Sequence, residues 1–236
     1  MKNSRAFTTL LLWASLVAHT YGCGINVINR CSYTVTTCAQ SNRWPGQVKG
    51  KIFQYELGAG KSQFLDFGNA CKWSNGAVWP SVRQRCDRPN IPNEAYDSDV
   101  VNFSEFSIGS DGVDYYSVNN IAAYTLPMKI RPINPKLSPN GRLCGSPECV
   151  INDIPRFCKG KNNLIKFPTT AYSCQNIDGL AGNGPSDGTN IFKNACPDAF
   201  SYMIDADFPL YVCPTGINYE VIFCPDTKSD ELISSL

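Results

Sequence analysis

The chain carries twelve cysteines, and every one of them lies at or after Cys23. Ahead of them stands "MKNSRAFTTLLLWASLVAHTYG": two basic residues, Lys2 and Arg5, an apolar run, then small or polar residues, the order of a secretory leader. An even cysteine set behind such a leader reads as about six disulfides made in an oxidising compartment, with free or metal-binding thiols the weaker alternative. The expectation is a secreted, extracellular protein with residues 1–22 as signal peptide and about 214 residues left after cleavage. The apolar run is too short to span a bilayer and nothing later approaches ~20 apolar residues, so no stable membrane anchor is expected.

Loss of Lys2 and Arg5 takes the 21 basic residues to 19, against 20 acidic ones. That balance offers no basic excess to displace counterions from a polyanion, which argues against a nucleic-acid partner. The one histidine, His19, also lies in the leader. Without imidazole, Ser-His-Asp and Cys-His catalysis and histidine-based zinc sites are excluded. No metal and no cofactor are expected.

Short β-branched and aromatic runs ("GINVINR", "SYTVTT", "KIFQYEL", "SQFLDF", "SEFSI", "DYYSV", "EVIFC") recur between turn residues, the pattern of an all-β sandwich or barrel. Helical periodicity is weak; the best helix falls between Asp187 and Ala195, with a short turn near Ile151 to Phe157. From Ile133 to Ala195 the chain is dense in Pro, Gly and Asn and holds Cys144, Cys149, Cys158 and Cys174, so it reads as a stapled lobe. Residues 227–236 read as a flexible tail. The stretch "GCGINVINRCSYTVTTCAQ" reads as a hairpin turning near Arg30 and Cys31, which would set Cys23 opposite Cys38 for a disulfide.

The runs "INVINRCSYTV", "FSEFSI", "DYYSVNNIAAYTLPMKIRP", "CGSPECVINDI", "FKNACPDAFSYMIDAD", "YVCPTG" and "NYEVIFCPDT" resemble the thaumatin-like, pathogenesis-related group 5 family over most of residues 23 to 226. The resemblance implies a flattened antiparallel β-sandwich (23–68, 95–132 and 196–225), a disulfide-rich, loop-rich lobe (133–195) and a small hairpin lobe (69–94). It also implies Cys31–Cys224, Cys144–Cys213, Cys149–Cys196 and Cys158–Cys174. In the small lobe the chain departs from the family's "C.TGDC.G" pattern with "CKWSNGAVWPSVRQRCDRPN", which leaves Cys71 and Cys86 to pair by default.

Members of the family face an acidic cleft between sandwich and lobe, and some cleave β-1,3-glucans weakly with it. Such chemistry needs two carboxylates across the glycosidic bond, one protonated and one ionised. The resemblance places the cleft glutamate on Glu105 and the last aspartate on Asp205, the two candidate catalytic residues. The intervening aspartate falls on Ser117 and a further, variable one on Ala122. Asp114 is a conceivable substitute, although strand alternation turns it away from Ser117. The arginine of the cleft is replaced at Pro80 and Ser81, with Arg83 or Arg85 within reach, and Asp207 matches no required position. Tyr116 is a further binding candidate, one of several aromatics (Trp44, Trp73, Trp79, Tyr96, Tyr115 and Tyr124) able to stack on sugar rings. Asn102-Phe103-Ser104 is a glycosylation sequon. The expected function is a monomeric defence or wall-interacting protein that binds β-1,3-glucan, another wall polysaccharide or a secreted protein; the alternative is a weak antifungal endo-β-1,3-glucanase.

Overall fold

The computed structural model describes residues 23–42, 50–86, 100–168 and 171–225. The leader, the 227–236 tail, Trp44 and Tyr96 fall outside them. In chain order the elements begin with strands β1 (Gly24–Asn29), β2 (Val35–Gln40), β3 (Phe53–Leu57), β4 (Ser62–Asp66) and β5 (Trp73–Ser81). There follow β6 (Phe103–Ser110), β7 (Val113–Asn119), β8 (Ala123–Tyr124), β9 (Met128–Ile133), β10 (Glu148–Cys149) and helix α1 (Ile154–Phe157). Next come β11 (Asn163–Lys166), β12 (Tyr172–Gln175), helices α2 (Ile177–Leu180) and α3 (Asp187–Ala195), then β13 (Ala199–Phe200), β14 (Tyr211–Pro214) and β15 (Asn218–Phe223).

Two sheets build an all-β sandwich: β10-β9-β15-β1-β4, and β13-β7-β6-β5-β2-β3 with β14 also on β7. In the first, β1 and β15 run parallel, Ile25 opposite Tyr219 and Asn29 opposite Phe223. Alternation decides which side faces in. Met128, Ile130, Tyr219 and Val221 are buried, while Arg131 and Glu220 pair across the outer face, with Arg131 Nε 2.8 Å from Glu220 Oε2. The inward residues meet Val78, Phe106, Ile108, Tyr116 and Val118 of the second sheet in one core. Inside that core Asp114 accepts from Tyr219 Oη (2.9 Å), Thr215 Oγ1 (3.0 Å) and the Gly109 amide (2.8 Å). Burial of a charge is tolerable only with this many donors.

The disulfides fix the layers. Cys31–Cys224, Cys144–Cys213, Cys149–Cys196 and Cys158–Cys174 are the four pairs that the resemblance implies. The other two differ from expectation: Cys23 joins Cys71, and Cys38 joins Cys86, so neither Cys23–Cys38 nor Cys71–Cys86 forms. β1 and β2 are not a hairpin. The short link between them crosses from one sheet to the other, β1 pairing with β15 and β4 and β2 with β3 and β5, which leaves Cys23 and Cys38 in different layers.

The small hairpin lobe expected at 69–94 is also corrected over its described part. β5 is a central strand of the second sheet, between β2 and β6. A register shift between Trp73 and Gly76 lets Trp73 join the sandwich core from a position whose plain alternation would point it out. Pro80 is tolerated because β6 pairing has ended at Val78, so the missing N–H breaks no ladder bond on that side.

The stretch 133–195, expected as the loop-rich lobe, carries β10, the β11-β12 pair and the three helices, and β12 takes β8, from before this stretch, as its other neighbour. α3 starts at a capping box in which Ser186 Oγ accepts from the Thr189 amide (3.2 Å) and Thr189 Oγ1 from the Ser186 amide (2.9 Å).

Candidate functional site

The outer face of the seven-stranded sheet is where sandwich and lobe meet. Glu105, on β6, registers with Ala77 of β5 and Ser117 of β7, so these three side chains share that face. Glu105 is half-buried, while Ser117 is 2% exposed and Ala122 is buried in the loop after β7. The middle of the face is apolar. Trp79, Val101 and Phe103 pack there with Phe167 from the lobe, around the Cys38–Cys86 bridge.

Asp205 does not join Glu105 as an open acid. It is 3% exposed; its Oδ2 accepts from the Ser201 amide (3.1 Å) and lies 2.7 Å from Lys193 Nζ, and its Oδ1 accepts from the Asp207 amide (3.2 Å). Lys193 spends its remaining donors on the carbonyls of Ala199 (2.9 Å) and Pro197 (3.3 Å). Ser201 follows Phe200, the β13 residue opposite Asn119, so Asp205 holds the far end of β7 together. A carboxylate that accepts this many bonds and faces an ammonium serves as framework, not as a base open to water.

Among the described strands of this face the other carboxylate is Glu56, on β3, bonded to Thr36 Oγ1 at 2.9 Å. Glu105 faces Ala77, Ala77 faces Gln40, and Thr36 faces Glu56. Three strand spacings and four residues of register put the two glutamate backbones ~19 Å apart. Glycosidases need their carboxyls about 5 to 10 Å apart.

Several other candidates are structural. Asp114 and Tyr116 face the sandwich core; the Tyr116 hydroxyl donates to the Gly145 carbonyl at 2.7 Å, so neither residue can meet a ligand. Trp73, Trp79 and Tyr124 are buried too, and Tyr115 partly so. Ser81, in the place of the family's arginine, donates to the Arg85 carbonyl and accepts from the Arg83 amide at 3.2 Å. Arg83 and Arg85 therefore sit on an exposed turn, six residues and more past the one facing Glu105. Asn102 cannot carry a glycan in this fold. It is fully buried, donates Nδ2 to the Leu126 carbonyl (2.8 Å) and accepts from the amides of Thr125 (3.1 Å) and Leu126 (3.3 Å).

Two features escape a reading of the sequence. Lys193 in "FKNACP" sits one helix turn before Cys196 and twelve and fourteen residues before the carboxylates it faces, Asp205 and Asp207, so no local pattern ties it to Asp205. Tyr33, in the sheet-to-sheet link, is 58% exposed although its run reads as strand.

A sequence profile of the Thaumatin family matches residues 29–225. Over 160 residues the chain is 32% identical to Pathogenesis-related protein 5 of Arabidopsis thaliana, a match covering 60% of this chain and 59% of that protein, so it spans about three fifths of the relative. Over 245 residues it is 25% identical to a Thaumatin-like protein of Actinidia deliciosa, covering 94% and 98%. Among solved structures it resembles a protein elicitor from Magnaporthe oryzae, with TM-score 0.42, 17% identity and coverage of 86% and 99%.

Proposed function

The chain belongs to the Thaumatin family, and from that premise we propose that it is a secreted, defence-type protein that binds wall polysaccharide, β-1,3-glucan first among them, without cleaving it. The observation that carries the non-catalytic half is the closed Lys193–Asp205 pair, with Ser117 and Ala122 standing where further acids would be needed. The other described strand carboxylate of that face, Glu56, lies well beyond glycosidase spacing from Glu105. Two relatives named as pathogenesis-related and thaumatin-like proteins support the defence reading. Six disulfides suit the oxidising exterior to which the leader would direct the chain.

The test is retention on insoluble β-1,3-glucan beside reducing-sugar release from laminarin. Retention without release is expected. Release that disappears in Glu105→Gln would establish a glucanase instead, and failure to bind glucan, cellulose or xylan would remove the polysaccharide partner.

A further inference from the structure

β11 is the end strand of the β11-β12-β8 sheet, with a neighbour on one side only. The register fixes which of its backbone groups that neighbour uses. Phe167, just past the strand, donates its amide to the Ala171 carbonyl (2.9 Å), so in an antiparallel ladder Ile165 with Ser173 and Asn163 with Gln175 are the bonded pairs. The N–H and C=O groups of Leu164 and Lys166 therefore point away from β12. The other side of β12 keeps the same phase: the Asn176 amide donates to the Ala122 carbonyl at 2.9 Å, in register with Cys174 opposite Tyr124. Among the described residues no strand pairs with the Leu164 edge and no backbone group bonds to it.

The side chains beside this edge carry one sign of charge. Alternation turns Ile165 and Phe167 into the cluster around Trp79, while Leu164, 40% exposed, and Lys166 take the other face. Leu164 lies opposite Cys174, which is bonded to Cys158 at a Cα separation of 5.4 Å, so the end of α1 and the loop after it run beside the edge. That puts Arg156, Lys159 and Lys161, all exposed, on the same side of the lobe as Lys166. From Ile154 to Ile177 the chain holds these four cations and no carboxylate. The acids that bracket the stretch are engaged: Asp153 caps α1 by accepting from the Arg156 amide (3.0 Å), and Asp178 accepts from Ser186 Oγ (2.6 Å). Among the described residues none of the four cations forms an ion pair, and Lys166 lies 5.8 Å from the centre of the Tyr172 ring.

An open edge invites pairing with any extended chain, and cations along it are a common guard against that. Here the guard is selective. A second copy would set cations against cations, which disfavours self-pairing. A segment rich in Asp and Glu meets the opposite situation: its backbone pairs with Leu164 and Lys166, and its carboxylates find cations that have no acidic partner within the described chain. The edge is also rigid before a partner arrives, because Cys158–Cys174 pins β12 to α1 and Ser173 Oγ donates to the Val100 carbonyl at 2.6 Å.

We infer that the β11 edge is a docking site for an acidic, extended segment of a secreted partner protein, which adds a strand beside Leu164 and Lys166 and sets its carboxylates against Arg156, Lys159, Lys161 and Lys166. Neither the face around Glu105 nor polysaccharide binding enters into it.

Fluorescence anisotropy tests it with a labelled decapeptide of alternating Glu and Val, the matching Lys-Val peptide, the Glu-Val peptide N-methylated throughout, and an oligogalacturonide of similar charge. Binding of the Glu-Val peptide alone is expected, weakening as salt is added. Lys159→Glu/Lys161→Glu should weaken it about tenfold. Leu164→Pro removes an amide hydrogen that points away from β12, so it spares the ladder, and it should weaken the peptide by about the same factor. Thermal melts establish that both variants stay folded, and the N-methylated peptide makes the backbone test with the protein unchanged. No binding of the Glu-Val peptide, or binding that survives in both variants, would overturn the site. Equal binding of the N-methylated peptide or the oligogalacturonide would overturn strand addition in favour of a plain polyanion patch, and self-association that disappears in Leu164→Pro would give the edge to a second copy instead.

Discussion

Lys193 Nζ lies 2.7 Å from Asp205 Oδ2, with the carboxylate side chain wholly enclosed and the ammonium side chain 12% exposed. The contact joins α3 to the loop after β13 and neutralises the one acid of the 196–207 stretch that resembles a cleft residue.

Removing one member of such a pair strands the other. Lys193→Met should destabilise the fold by about 3 kcal/mol, because Asp205 would remain as a buried charge without its counterion. Lys193→Met/Asp205→Leu should recover part of that loss. Urea denaturation of the three proteins checks both statements, and full stability in Lys193→Met would contradict the framework role.

Cys38→Ser/Cys86→Ser should lower stability by about 4 kcal/mol in the chain-entropy picture of a bridge spanning 48 positions. It should also loosen the turn at 82–85. Peptide mapping under non-reducing conditions should find Cys23 with Cys71 and Cys38 with Cys86; any crosslink between Cys23 and Cys38 would refute the layer assignment.

Stability should hold up to about pH 10 and fall beyond it. Burial raises the pKa of Tyr124 and Tyr219 above the ordinary 10.0, with the Asp114 charge adding to the shift on Tyr219; Tyr116 moves the same way. Below 10 these hydroxyls are protonated in both states and contribute no slope. Above it the unfolded chain releases protons that the native state retains, so each of Tyr124 and Tyr219 costs up to about 1.4 kcal/mol per pH unit. Thermal melts between pH 8 and 12 measure this, and Tyr219→Phe should flatten the alkaline limb.

Protein secreted from a glycosylating host should carry no glycan on Asn102. Intact-mass analysis checks that directly. Asn102→Ala should cost about 3 kcal/mol, since two backbone amides and a carbonyl lose their partner in the interior.

The sheet framework is legible in the sequence wherever one face is wet. "INV" and "MKIR" alternate because β1 and β9 have one side in the core, although at the end of β1 Asn29 takes the buried place and Ile28 the less buried one, and the span Asp187–Ala195 reads as helix and is one. β5 is harder to see because the second sheet is covered on both faces. Its alternation is lost, and Gly76 and Pro80 mimic turn signals. The link from β1 to β2 misleads for a different reason: a hairpin and a crossing between layers leave the same short polar spacer. At the site, motif likeness locates Glu105 and Asp205, but burial is decided by the partner, and Lys193 lies on another element. A cavity beside Tyr33 and Glu56 draws its lining from six separate stretches, which only the fold brings together.

Because β1 takes β15 as its parallel neighbour and Cys31 takes Cys224, the first strand to leave the ribosome stays incomplete until the last has been made. During that wait the thiol of Cys31 must be kept from Cys23 and Cys38, which emerge long before its rightful mate. Efficient production should therefore depend on thiol-disulfide isomerase activity late in synthesis, and C-terminal truncation short of Cys224 should yield scrambled crosslinks rather than a smaller native core.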